Sequence, residues 1–227
     1  ANDERAAANH GVLQGDTSFA AGKFGQAANF DGNADYIELN GFIGEMPANN
    51  MTVSMWVYAD GSLGQGKVLL NWHAGGNDRG YTYFWDTSGT QAGPYKLATG
   101  SKIGGVWETL TSGNTTVTVG NWYHLAMVDN GGSLQYYVNG NAETMTNPTG
   151  ANSPSNIGSL TTFWLGASNF GGSPQAEISW EGKIDDVAIW GRSLSASEIE
   201  GIYNCGAALL DTCTNIVDGS GISITVV

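Results

Sequence analysis

A chain of 227 residues fits a single β-sandwich or barrel, so its length does not force a second domain. Charged residues make up only 13 %, Gly is the commonest residue at 34, and Trp and Tyr number 8 and 9, a mixture that predicts many tight turns and much aromatic surface. The formal net charge of −13, with only eight Lys and Arg, argues against a nucleic acid partner and against direct ion pairing to strongly anionic polysaccharides.

In chain order, Ala1 to His10 lacks the apolar core of a signal peptide, and no apolar run approaches the ~18 residues that span a bilayer. The expectation is a soluble, already trimmed chain without membrane insertion. Short β-rich runs then recur between Gly, Asn, Asp and Ser clusters: Ala28 to Phe30, Tyr36 to Leu39, Thr52 to Tyr58, Lys67 to Trp72 and Tyr81 to Trp85. Trp122 to Val128, Leu134 to Val138, Thr162 to Leu165 and Ile184 to Trp190 follow. Val53, Met55 and Val57 alternate with Thr52, Ser54, Trp56 and Tyr58, and Leu125 and Met127 alternate with Ala126 and Val128, which predicts strands covered on both faces.

Asn139-Gly140 directly after Tyr136-Tyr137-Val138 predicts a hairpin, since a type I′ turn needs two residues tolerant of positive φ. Ser195 followed by Glu198 forms a capping box ahead of Ile199, Ile202 and Tyr203, which predicts one short turn of helix. From Cys205 onward the composition changes. Residues 1–204 read as one domain and residues 205–227 as an extension, with Ile222 to Val227 as a final strand or a tail. Cys205 and Cys213 have seven residues between them; they suit a disulfide-closed loop in a secreted chain, two free thiols being the alternative.

Four stretches in order resemble the laminin G-like jelly-roll domains of the concanavalin A-like lectin/glucanase superfamily, which are also similar to pentraxins. They are Gly22-Lys23-Phe24-Gly25-Gln26-Ala27 with Phe30-Asp31-Gly32 and Asp35-Tyr36-Ile37, Met51 to Val57, Gly120 to Ala126 with Tyr137 to Gly140, and Gly182 to Val187 with Leu194-Ser195 and Glu198-Ile199. The resemblance covers roughly residues 9 to 204 and implies an all-β fold, a two-sheet antiparallel jelly-roll sandwich with one short C-terminal helix. Trp56 and Trp122 read as core residues, and His124 as a hydrogen-bonded structural histidine.

The resemblance also implies a structural calcium between the first loop and the Ile184-Asp185-Asp186 strand. Asp185 shares a face with Val187 and Ile189 in a regular strand, so it is expected to point inward; Asp3 and Asn9 are the further candidate ligands. Hydrogen bonding of Asp185 to backbone amides or to Arg192 is the alternative. Departures from the family pattern lie at the start, where Arg5 and Ala6 to Ala8 replace its usual Ser and Gly.

For a ligand, the informative stretch runs from Asn71 to Trp107. Trp72, His73, Asn77, Asp78, Arg79, Tyr81, Tyr83, Trp85, Asp86, Tyr95 and Trp107 concentrate aromatic rings and planar polar groups there, which suits stacking on pyranose rings and forked hydrogen bonds to hydroxyls. Tyr81, Tyr83 and Trp85 share a strand face, which either binds sugar or is core. Laminarinase-like members carry a Glu-x-Asp-x-x-Glu run that supplies acid and nucleophile, and none occurs here; Glu177, Glu181 and Asp185 are spaced by four across a turn-like stretch. The expectation is a non-catalytic module that binds a neutral or weakly acidic glycan, secreted or on a cell surface and part of a larger multidomain protein. A protein-binding or adhesive domain is the alternative.

Overall fold

The computed structural model describes residues 2–3, 11–45, 50–61, 63–64, 66–74, 78–86, 94–104, 106–107, 111–145, 160–170, 172–205 and 221–225. In chain order the strands are β1 (Asn2–Asp3), β2 (Val12–Gln14), β3 (Ser18–Ala21), β4 (Gln26–Asp31), β5 (Tyr36–Glu38), β6 (Asn50–Ala59), β7 (Gly66–Ala74), β8 (Arg79–Asp86), β9 (Tyr95–Ile103) and β10 (Val106–Trp107). They continue with β11 (Thr111–Val117), β12 (Trp122–Asn130), β13 (Leu134–Val138), β14 (Asn141–Ala142), β15 (Leu160–Leu165), β16 (Asn169–Phe170), β17 (Ser173–Pro174), β18 (Glu181–Trp190) and β19 (Gly221–Thr225). The single α-helix among the described residues, α1, spans Ala196–Cys205.

Two antiparallel sheets form the sandwich. Sheet A has nine strands in the order β1-β19-β18-β6-β12-β13-β14, with the β3–β4 hairpin added against β18. Sheet B has eight, in the order β10-β9-β8-β7-β15-β5-β2, with β11 on β9. The period of two written in β6 decides which way its side chains face: Met51, Val53, Met55, Val57 and Ala59 enter the core between the sheets, and Thr52, Ser54, Trp56 and Tyr58 face outward. Leu125, Met127, Tyr136, Val138, Ile184, Val187 and Ile189 meet them from sheet A, and Leu70, Trp72, Phe84, Leu97, Phe163 and Leu165 from sheet B.

The outer face of sheet A has its own apolar layer, which explains the two-sided burial expected of these strands. Ile199 and Ile202 of α1, both 0 % exposed, pack on Ala126, Val128, Tyr137, Ala188, Trp190 and Leu194. Burying each isoleucine contributes about 1.5–3 kcal/mol, and this tertiary contact extends α1 to ten residues instead of the single turn expected. The capping box forms as the sequence implies, with Ser195 N–H donating to Glu198 Oε2 at 2.8 Å and Glu198 N–H to Ser195 Oγ at 3.4 Å. Arg192 donates to Glu198 at 2.6 Å, and it holds that carboxyl down at about 2. The Asn139-Gly140 turn has φ of 50° and 77°, the left-handed pair that a type I′ hairpin demands.

One expectation is overturned in β18. Its register against β6 shifts between Asp185 and Ala188, and Asp186 sits at φ 46°, the signature of a bulge. The extra residue reverses the alternation, so Asp185 lies opposite the outward Trp56 while Val187 and Ile189 still face the core. The C-terminal segment supplies a strand: β19 pairs antiparallel with β18 beyond the bulge, and β1 pairs with β19. Two further strands, β9 and β11, arise from polar, Gly-containing runs whose pairing on sheet B is imposed by neighbours rather than by local pattern.

Candidate functional site

Strand alternation sorts the candidate ligand residues between two faces of sheet B. Trp72 and Tyr95 turn inward and belong to the core, 0 % and 4 % exposed, so their rings offer no face to a ligand; the tryptophan lies flat across Gly80 of β8. His73, Arg79, Tyr81 and Tyr83 lie on the outer face. Direct register places Lys102, Arg79 and His73 in one row across β9, β8 and β7, and Gly100, Tyr81, Asn71, Trp164 and Glu38 in the next, reaching β5. Asp78 sits at the entry to β8 and accepts the Gly104 N–H at 2.6 Å. The backbones of Trp85, Asp86 and Trp107 lie in β8 and β10, but their side chains, and Asn77 entirely, lie outside the described residues.

Sequence reasoning missed the part of this face built by β5 and β15. Tyr36 stacks on Trp164 with ring centroids 4.0 Å apart and planes at 25°. The Trp164 indole N–H is buried without an acceptor, so a donor on this face is left unpaired. Asn71 accepts the Asn169 N–H at 3.0 Å and donates to the Gly80 carbonyl at 2.9 Å, and the Asn169 amide donates to Thr162 Oγ1 at 3.3 Å. These bonds fasten the β16–β17 hairpin onto the sheet and leave His73, Tyr36 and Tyr83 half-buried at the surface. Alternation within Thr162-Phe163-Trp164 was the available signal.

The electrostatics suit a hydroxyl-rich ligand. Burial pushes the Tyr81 and Tyr83 phenols up, so both stay hydroxyls that can donate and accept. Burial, with the Arg79 guanidinium beside it, pushes the His73 imidazole down, which keeps it neutral. Glu38 accepts from Gln14 at 3.1 Å and from the Asn40 amide.

Of the expected calcium ligands, Asp185 alone has a described side chain. The Asp185 carboxylate accepts from the backbone N–H groups of Phe24 and Asp186, each at 2.9 Å, and from that of Lys23, so it pins the Gly22–Gly25 loop to sheet A. This is the amide-bonded alternative. Asp3 lies in β1, opposite Ile224, its side chain outside the described atoms, and Asn9 lies outside the described residues. Carboxylates converge elsewhere: Asp16, Asp31 and Asp35 bring one oxygen each to within 4.8 Å of the others, a donor set that fits a hard cation. Asp35 is 1 % exposed and accepts the Asp16 and Asp31 N–H groups at 2.9 and 3.0 Å; burial raises its carboxyl to about 6.

His124 is buried as expected, but its ring is not hydrogen-bonded. Both ring nitrogens lack a partner, its ring rests between Trp56 at 5.4 Å and Tyr203 of α1 at 6.1 Å, and burial pushes it down to about 4. Trp56 is buried beneath α1 and the Gly22–Gly25 loop, outside the central core, whereas Trp122 is half-buried on the outer face. Glu177 falls in a 3-10 turn, Ala176–Ile178, before β18, so the acids spaced by four do not share one strand.

Known structures share this architecture. Domain 4 of AbnA, an extracellular GH43 arabinanase of Geobacillus stearothermophilus, solved with arabinotriose, is 23 % identical over 85 % of this chain and 87 % of that one, with a TM-score of 0.59. The heptameric SAP-like pentraxin of Limulus polyphemus is 17 % identical over 78 % and 80 %, with a TM-score of 0.52. The CBM40 of the Ruminococcus gnavus IT-sialidase, bound to α2,3-sialyllactose, is 12 % identical over 86 % and 96 %, with a TM-score of 0.59. Among curated proteins no sequence matches. At these identities the likeness establishes the fold. A laminin G-type family model matches residues 31–200, from the end of β4 into α1 and across both sheets, and the chain therefore belongs to the concanavalin A-like lectin/glucanases superfamily.

Proposed function

We propose that this chain is a non-catalytic glycan-binding module of a secreted or cell-surface protein, with its site on the outer face of sheet B. The observation that carries the reading is the gathering on one face of half-buried Tyr36, His73 and Tyr83, backed by the buried Trp164, Tyr81 and Arg79. Rings offer apolar faces to pyranose C–H groups, and planar polar groups meet the hydroxyls. Arabinotriose and sialyllactose in two similar folds support carbohydrate as the ligand class. The chain's negative charge favours a neutral or weakly acidic glycan. A structural calcium belongs to the same reading, with Asp16, Asp31 and Asp35, whose carboxylates converge, as its ligands in place of Asp185.

A binding role needs no paired acid and nucleophile, and the described carboxylates near the face, Glu38 and Asp78, are engaged in hydrogen bonds. A glycan array followed by Tyr83→Ala and Tyr36→Ala tests the proposal. Loss of one stacking ring is worth on the order of 1 kcal/mol beyond area, so each folded variant should bind the best array hit about fivefold more weakly. Unchanged binding by both moves the site elsewhere. A parent that binds no glycan hands the function to the protein-binding, adhesive alternative.

A further inference from the structure

We infer that the outer face of sheet A carries a second, separate binding strip for a neutral, extended hexose chain. Register aligns Ser18, Asn29, Lys183, Tyr58 and Trp122 directly across β3, β4, β18, β6 and β12, and direct cross-strand partners share a face. The neighbouring row, Asp185, Trp56 and His124, is roofed by the Gly22–Gly25 loop and α1. This one is open: Asn29, Lys183, Tyr58 and Trp122 are half-buried and Ser18 is exposed.

Its chemistry changes along its length. At one end the Tyr58 and Trp122 rings sit 5.4 Å apart at 49°, two partly wet aromatic surfaces side by side. Lys183 Nζ lies over the Tyr58 ring, 4.5 Å from its centroid, and 3.0 Å from Asp60 Oδ1, which leaves Trp122 to present the stacking face. At the other end the Asn29 amide reaches Ser18 Oγ at 3.5 Å. The strip thus offers the Trp122 stacking face, then an ammonium and carboxylate over Tyr58, then an amide and a hydroxyl, at strand spacings of about 4.8 Å. A flat β-1,4-linked hexose chain repeats at close to that spacing and presents ring faces and hydroxyl edges in one line. Because Asp60 already neutralises Lys183 and the whole chain is negative, the strip complements an uncharged ligand and not a polyanion.

Titration of the full chain with cellohexaose, followed calorimetrically, tests the strip. The parent should bind it, Trp122→Ala should weaken binding about fivefold or more, and Lys183→Ala and Asn29→Ala should weaken it in the same direction without altering the fold. Tyr83→Ala on sheet B should remove no part of the binding that Trp122→Ala weakens, which separates the two faces. The strip is overturned if the parent does not bind cellohexaose, or if Trp122→Ala, Lys183→Ala and Asn29→Ala, folded as the parent is, all bind as tightly. It is also overturned if Tyr83→Ala alone abolishes binding, and that result supports sheet B.

Discussion

Replacing His124 with Phe should make the stability of this module less sensitive to acid. The imidazole is 1 % exposed, both nitrogens are unpartnered, and burial depresses it from 6.5 to about 4. As pH falls, the unfolded chain takes up this proton first, near 6.5, whereas the folded chain resists until about 4. The contribution is therefore complete above 6.5, is lost progressively through that window, and has no further slope below 4. At about 1.4 kcal/mol per unit, the full loss is about 3 kcal/mol, a large share of the 5–15 kcal/mol typical of a domain. Asp35 works in the opposite sense: raised to about 6, it stabilises the fold as pH falls toward 3.8. Both proteins share Asp35, so the informative quantity is the difference between the urea-unfolding free energies of parent and His124→Phe, measured from pH 8 to pH 4. That difference should shift by about 3 kcal/mol in favour of the variant on going to pH 4. A difference that stays flat refutes the argument from unpaired burial.

Three further outcomes follow from named contacts. Gly80→Ala should destabilise by about 1–3 kcal/mol in denaturant melts, because an added Cβ would stand 2.3 Å from Trp72 Nε1 across the strand pair. Calcium should raise the melting temperature and chelator lower it, with the response lost in Asp16→Asn/Asp31→Asn and retained in Asp185→Asn; calcium affinity should rise with pH through about 6, as Asp35 gives up its proton. Cys205, the last residue of α1, is proposed to pair with Cys213, which lies outside the described residues, so alkylation of intact protein should add mass only after reduction.

The legible parts of the fold were those where one local rule was decisive. Alternation in β6, the Ser195–Glu198 capping box and the Asn139-Gly140 turn could be read because each depends on residues within about ten of one another. The bulge at Asp186 could not, since one residue at positive φ leaves the apolar spacing intact while it reverses Asp185. The same holds for β11, whose Thr111–Val117 run is made a strand by its pairing with β9 and by Glu143, which accepts the Thr115 N–H at 2.8 Å. In the candidate site, His73 through Tyr83 were visible as a crowded stretch. Tyr36 and Trp164 were not, because they join it from sequence separations of tens of residues through a sheet order no local pattern encodes.

The pairing of β1 with β19 has a mechanical meaning. Asn2 lies opposite Thr225, so a chain that enters at one and leaves after the other does so from a single spot at the rim of sheet A. Tension between the flanking segments of a longer polypeptide would then load that antiparallel pair one rung at a time, as a zipper, instead of shearing all its rungs together. The rim would yield at low force, and the two faces proposed to bind glycan would keep their shape while the attachment gives.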